Sequence, residues 1–157
     1  HLLRSNPIWR AVSDPAPALL SVTGPDGYMS PDWYGEPDQV PTWNYVAVHL
    51  TGTLELRPAE ELSDLLDRQS AFYEQRLLPK PPWTTSKMTP DALDKMMRQI
   101  VPCRMHIKEI DGTWKLSQNK PDAVRLRAAR QMAGYGFGQE VRSLAALMQG
   151  VEPGAGR

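Results

Sequence analysis

The stretch Trp-Lys-Leu-Ser-Gln-Asn-Lys-Pro, residues 114–121, packs two cations, a hydroxyl and two amides into eight positions. Lys115, Ser117, Gln118, Asn119 and Lys120 carry them, and the sequence predicts that a helix starts directly afterwards. Free backbone N–H groups and the helix dipole attract anions at such a start, so these are the parts of a compact phosphate site. A solvated hairpin exit capped by asparagine uses the same residues. A second group lies in Val-Pro-Thr-Trp-Asn-Tyr, residues 40–45, at the mouth of a strand. Trp43 offers a flat apolar ring and Asn44 an amide that both donates and accepts, a pair that suits a planar heterocycle. It equally suits a barrel rim, with Trp plugging the end and Asn tying off loose backbone. The third group is Arg4, Ser5 and Asn6, where a strand gives way to a helix. Arg4 can grip a phosphate in two-pronged fashion or stand as a surface charge.

Other chemistry is thinly represented. His1, His49 and His106 have no paired spacing, so a metal or haem site needs the fold to gather them. Cys103, the one cysteine, falls on the face of a strand assigned to the core, which favours a buried inert thiol. The lone cysteine excludes an internal disulfide and a cysteine-based zinc site. There is no Gly-x-Ser-x-Gly, no phosphate-loop motif and no His-Glu-x-x-His. Arg125, Arg127 and Arg130 read as one solvated side of a helix.

Elements must hold these groups in place. Leu2-Leu3 ends a strand, and Asn6-Pro7 starts a short helix through Ile8, Trp9 and Val12. A strand is expected over 18–24 and a shorter one at Tyr28-Met29, followed by a structured loop that keeps Trp33 and Tyr34. From Tyr45 to Leu56 the chain alternates, with Val46, Val48, Leu50, Leu54 and Leu56 on the core face and Gly52 marking a bulge or bend. Leu62, Leu65, Leu66, Phe72, Tyr73 and Leu77 mark one face of a helix opened by Pro58. Thr89-Pro90 starts another helix. A strand from Cys103, an Asp111-Gly112 hairpin turn and a return strand follow, then two helices separated by Gly-Tyr-Gly-Phe-Gly.

The chain has 157 residues, room for one domain with a real core. Eighteen basic and eighteen acidic residues cancel, which excludes DNA binding through the whole surface and leaves room for a local basic site. No apolar run approaches the ~20 residues of a membrane-spanning helix. The pattern of elements predicts a mainly β, antiparallel α+β fold over residues 1–150 with peripheral helices, and a disordered tail over 151–157. Too few strands are visible to close a barrel, so missing leading strands or a partner subunit are expected to complete it.

Taken in order, Arg-Ser-Asn-Pro-Ile-Trp, Gly-Pro-Asp-Gly-Tyr-Met-Ser-Pro-Asp-Trp-Tyr, Val-Pro-Thr-Trp-Asn-Tyr and Gly-Thr-Trp-Lys-Leu-Ser-Gln-Asn-Lys-Pro resemble the PaiB family, FMN-binding negative transcriptional regulators. The resemblance implies a flavin-binding split β-barrel, here N-terminally truncated, a cytoplasmic homodimer, and FMN at the dimer interface. It places Arg4, Ser5 and Asn6 at the FMN phosphate, Trp43 and Asn44 at the flavin rim, and Lys115, Ser117, Gln118, Asn119 and Lys120 in a second polar wall. Lys120 stands where the family usually has Arg. Two other readings use the same sequence: a flavin-dependent oxidoreductase of the pyridoxine-phosphate-oxidase-like group, and a haem-binding stress protein with His49 or His106 as ligand.

Overall fold

A computed structural model describes residues 1–11 and 15–152. The expected helix position Val12 and most of the expected tail lie outside them. The chain divides into two compact units, residues 1–18 with 51–108, and residues 19–50 with 109–157. It is a mixed α+β protein. A two-stranded sheet pairs β1 (Leu2–Leu3) with β4 (Ile100–Val101), antiparallel, with Leu2 opposite Val101. A four-stranded sheet has the order β5 (Cys103–Lys115), β3 (Thr42–Leu56), β2 (Ala16–Met29), β6 (Gly138–Gln139), and its β2–β6 pair is also antiparallel. No closed barrel forms among the described residues.

In the first unit, Asn6 starts α1 (Ile8–Ala11) as its residue type predicts, its Oδ1 accepting the Ile8 N–H at 3.0 Å. Helix α2 (Leu62–Glu74) buries Leu62, but Phe72 and Tyr73 further along its apolar stripe are exposed, as is Leu77 just beyond it. The guanidinium of Arg76 lies over Phe72 instead, 4.4 Å from the ring centre. Helix α3 (Pro90–Met97) begins after Thr89 as expected, without a side-chain cap bond from the threonine. Gly52 sits where no side chain fits: a Cβ there would stand 2.1 Å from the carbonyl oxygen of His106.

The core of the second unit is helical on one side. Helix α4 (Asp122–Tyr135) packs on α5 (Val141–Gln149), and Met29, Tyr34, Leu116, Val124, Ala128, Met132, Leu144 and Met148 close around each other. Buried positions in α4 recur at 124, 125, 128, 129 and 132, one helical stripe. Arg125 lies on that stripe and is 2% exposed. The expected solvated arginine side is corrected at one position: Arg125 is buried against Asp122 and the Val151 carbonyl, whereas Arg127 and Arg130 are exposed, Arg127 also donating to the Tyr34 carbonyl at 2.9 Å.

Two strand expectations are also corrected. The predicted break between residues 24 and 28 is absent, and β2 runs through it, because Asp26 and Gly27 pair with β6. The Asp111-Gly112 hairpin is absent too, and β5 continues to Lys115. A two-residue hairpin turn of that kind needs positive φ, which neither residue adopts. The Trp114 ring lies over Gly112, where a side chain would meet it.

Candidate functional site

In the second unit, β3 and the segment after β5 frame a polar cavity of about 250 Å³. Asn44, Ser117 and Tyr34 are its buried members, with Thr42, Gln39 and Asp38 on one side and Lys115, Gln118, Asn119 and Lys120 on the other. The strand pleat explains how Asn44 comes here. Alternate residues of β3 face opposite ways, so Asn44 is fully buried while its neighbour Trp43 is 40% exposed. Trp43 instead meets Tyr28 and Phe137, with ring centres 6.3 and 5.8 Å away. The two adjacent residues that suggested one flat-ring contact thus serve opposite sides of the strand.

The floor is a short hydrogen-bonded chain. Asn44 Nδ2 donates to Ser117 Oγ at 2.9 Å and lies 3.5 Å from Met148 Sδ. The Ser117 and Tyr34 hydroxyls share a hydrogen bond of 2.8 Å. Ser117 reaches both through a left-handed backbone conformation, φ 59°, rare for a residue with a side chain. Asn44 Oδ1 is buried and has no hydrogen-bond partner; Arg125 Nε is the other such atom among the described residues.

The rim is cationic. Lys115 Nζ donates to Thr42 Oγ1 and Lys120 Nζ to Gln39 Oε1, each at 2.5 Å. Lys120 also sits 5.4 Å from the centre of the Tyr34 ring. Both lysines are held by neutral acceptors, a hydroxyl and an amide oxygen. Gln118 is committed to the backbone, accepting from the Leu116 N–H at 2.7 Å and donating to the Trp114 carbonyl at 2.6 Å. Asn119 is exposed on the rim. The start of α4 adds little for an anion, because Asp122 occupies its first turn.

Arg4, Ser5 and Asn6 belong to the first unit. Arg4 lines a separate cavity of about 310 Å³ with Leu62, Asp94, Met97 and Arg98. Its Nε donates to the Arg98 carbonyl at 2.8 Å and its guanidinium lies 5.7 Å from the Trp9 ring centre. Ser5 is exposed in the turn, and the Asn6 side chain is occupied in starting α1. His106, considered above as a haem ligand, pairs with Glu55 at 3.1 Å in a cluster with Arg57, Glu61 and Arg104. The hydrogen bond from His106, more than any other contact, holds the Glu55 carboxyl below its usual range, with Arg57 adding to it against partial desolvation.

Six of the cavity's residues, Asn44, Lys115, Ser117, Gln118, Asn119 and Lys120, were candidates from the sequence, and Tyr34, Asp38, Gln39, Val40 and Thr42 were not. Tyr34 did carry a signal: an aromatic residue in a turn-rich loop needs somewhere to bury its ring, and a 3₁₀ turn over Pro31–Tyr34 delivers it.

This is a mixed α+β chain with a lysine-rimmed polar cavity, and its class follows from comparison. A family described as "Putative FMN-binding domain" matches residues 1–109, and the chain belongs to it. The PaiB resemblance drawn from the motifs is borne out, and FMN is the cofactor that defines the family. The chain is similar to the protease synthase and sporulation protein PAI 2 of Bacillus subtilis (strain 168), 30% identical over 132 residues. That alignment covers 84% of this chain and 62% of the relative's length. The family match takes in Arg4 to Asn6, Trp43 and Asn44 and ends before Lys115. Among the described residues no helix is long and apolar enough to cross a membrane.

The cavity fits part of FMN. At about 250 Å³ it lies below the ~300–1,000 Å³ typical of pockets that enclose a whole drug-sized ligand, so it can take one end of the cofactor. Its unpartnered buried acceptor and two available ammonium groups are the polar features such an end requires.

Proposed function

We propose that this chain is the FMN-binding part of a homodimeric split-barrel protein that regulates transcription negatively. The observation that carries the flavin assignment is the buried, unpartnered Asn44 Oδ1 at a lysine-rimmed cavity in a member of an FMN-binding family. Residues 1–150 act as one flavin-binding domain. Lys115, Ser117, Lys120 and Asn44 contact the cofactor directly. Gln118 and Asn119 shape the rim, and Trp43 lies close to the ring. Arg4, with Ser5 and Asn6 fixing its turn, holds the phosphate of the FMN shared with a second subunit. FMN supplies redox chemistry when bound, and the protein positions it.

The dimer has support from exposure. Leu19, Leu20 and Val22 of β2 are 62%, 50% and 48% exposed, and Leu19 and Leu20, being consecutive, point to opposite sides of the strand. Apolar strand area of this kind is normally covered, and a second copy is the partner a split barrel provides. The name of the relative, a protease synthase and sporulation protein, supports a regulatory role, and a cytoplasmic location is part of the same proposal. Equal numbers of acids and bases make its effect on DNA indirect or confined to a local patch.

The test is a titration of the purified protein with FMN and with riboflavin, followed by flavin absorbance and fluorescence, together with its mass in solution. Saturable FMN binding with a dimeric mass is expected. Arg4→Ala and Lys115→Ala should each weaken FMN, and Arg4→Ala should narrow the preference for FMN over riboflavin. A colourless protein that takes up neither flavin overturns the proposal.

A further inference from the structure

The hydrogen-bond inventory at the cavity floor has two open places, and their types are specific. Asn44 spends its Nδ2 on Ser117 Oγ and the Met148 sulfur, and its Oδ1 has no partner. The reverse orientation of the amide would turn its oxygen towards a sulfur that can only accept, so the open group is the acceptor. The hydroxyls supply the second place. Ser117 Oγ and Tyr34 OH share one hydrogen bond, which uses one of their two hydrogens. Whichever of them donates, the other keeps an O–H with no protein acceptor. The floor thus presents one free acceptor beside one free donor, both on side chains that line the cavity and are almost wholly buried. Leaving such groups unmatched is costly, and a ligand edge with an N–H next to a C=O matches both.

We infer that Asn44, with the Ser117–Tyr34 hydroxyl pair, reads the imide edge of the flavin ring: Asn44 Oδ1 accepts from the ring N3–H, and the spare hydroxyl hydrogen donates to an adjacent ring carbonyl. The inference rests on the flavin-binding reading and adds to it which end of the cofactor this cavity takes. The imide edge ends the tricyclic ring, the phosphate ends the ribityl chain that leaves its central ring, and a cavity of about 250 Å³ holds only one of them. Lys115 and Lys120 accordingly face the pyrimidine end of the ring, and the phosphate is bound elsewhere. Tyr34, absent from the motif-based site, becomes a specificity-determining residue.

The experiment compares FMN with its N3-methyl derivative, which lacks the N3–H and keeps the phosphate, by fluorescence titration of the whole protein. Unmodified protein should bind N3-methyl-FMN at least about tenfold more weakly, the factor set by leaving one buried acceptor unpaired. In Asn44→Ala that ratio should fall to within about twofold, because no acceptor remains to be left unpaired. Asn44→Leu keeps similar bulk without an acceptor and should lose the discrimination as the alanine variant does, which separates hydrogen bonding from simple crowding by the methyl group. A leucine variant that still discriminates overturns the hydrogen-bonding role. Equal binding of both flavins by the unmodified protein overturns the inference and leaves FMN binding standing. Discrimination undiminished in Asn44→Ala overturns the role of Asn44. Failure to bind either flavin sinks the underlying reading itself.

Discussion

Tyr34 and Ser117 are 83 residues apart in the chain, yet their buried hydroxyls are 2.8 Å apart. That contact fixes the floor of the cavity, and Ser117 makes it from a left-handed backbone conformation. Two costs can be separated there. Ser117→Ala keeps the strain and deprives Asn44 Nδ2 of its oxygen acceptor, a loss of about 1–3 kcal/mol. Ser117→Gly loses the same acceptor but occupies φ 59° without a side-chain penalty, and should be more stable than the alanine variant by about 1 kcal/mol. Urea unfolding of the two variants checks this. Equal midpoints would mean that the backbone strain is not borne in the folded protein.

Gly52 and Gly134 should respond in opposite directions to the same substitution. An alanine methyl at 52 meets the His106 backbone at 2.1 Å, and backbone cannot step aside as a flexible side chain does. Gly52→Ala should therefore cost about 2 kcal/mol or more. Gly134 lies in the last turn of α4 with nothing within 4 Å of the new methyl. Gly134→Ala should stabilise by about 0.5–1 kcal/mol through helix propensity. Thermal melts of the pair would show a fall in one and a rise in the other.

How far such features could be read beforehand depended on the range of the cause. The Asn6-Pro7 helix start was legible because a cap is decided within three residues. The alternation of β3 was legible for the same reason, and the structure buries Asn44 and Gly52 on the even-numbered face that was assigned to the core. Asp111-Gly112 misled because a turn dipeptide is only a local preference, and β5 stays extended as the edge strand beside β3. Arg125 was readable in principle: it falls on the stripe set by Val124, Ala128 and Met132. Charge argued for solvent, and what made burial tolerable was a carbonyl at Val151, 26 residues on. Tyr34 signalled that its ring would be buried but not where, because its hydroxyl partner lies 83 positions away.

Acid should loosen the first unit through its carboxylates. Glu61 is held below its ordinary range chiefly by its hydrogen bond from Arg57, Glu55 by that from His106, and Glu74 by Lys80 and the Trp83 N–H. A carboxyl with a lowered folded-state value binds its proton more readily when unfolded. Its stabilisation is complete above the unfolded value of about 4.3 and is lost as pH falls through the lower folded value. The unfolding midpoint should drop below about pH 4.3, and Glu61→Gln should drop less over the same window. These groups are half-buried but still reach solvent, so 1 M salt should shrink the difference between the two proteins. A difference unchanged by salt would point to a non-electrostatic role for Glu61.

Arg125 and Asp122 form an unequal pair, with side chains 3% and 55% exposed and Nη2 2.9 Å from Oδ1. Removing either member does different damage. Asp122→Ala leaves a buried guanidinium with the Val151 carbonyl and an unpartnered Nε, and should cost about 3 kcal/mol. Arg125→Met removes the buried charge and the unpartnered Nε together, while its thioether fills much of the same space beside Val124 and Ala128. It should fall within about 1 kcal/mol of the unmodified protein despite deleting more hydrogen bonds. Urea unfolding of both variants and of the double replacement tests this: the double variant should resemble Arg125→Met alone, since Asp122 has no buried charge left to compensate. If Arg125→Met proves as damaging as Asp122→Ala, the tie from the guanidinium to Val151 outweighs the burden of the buried charge.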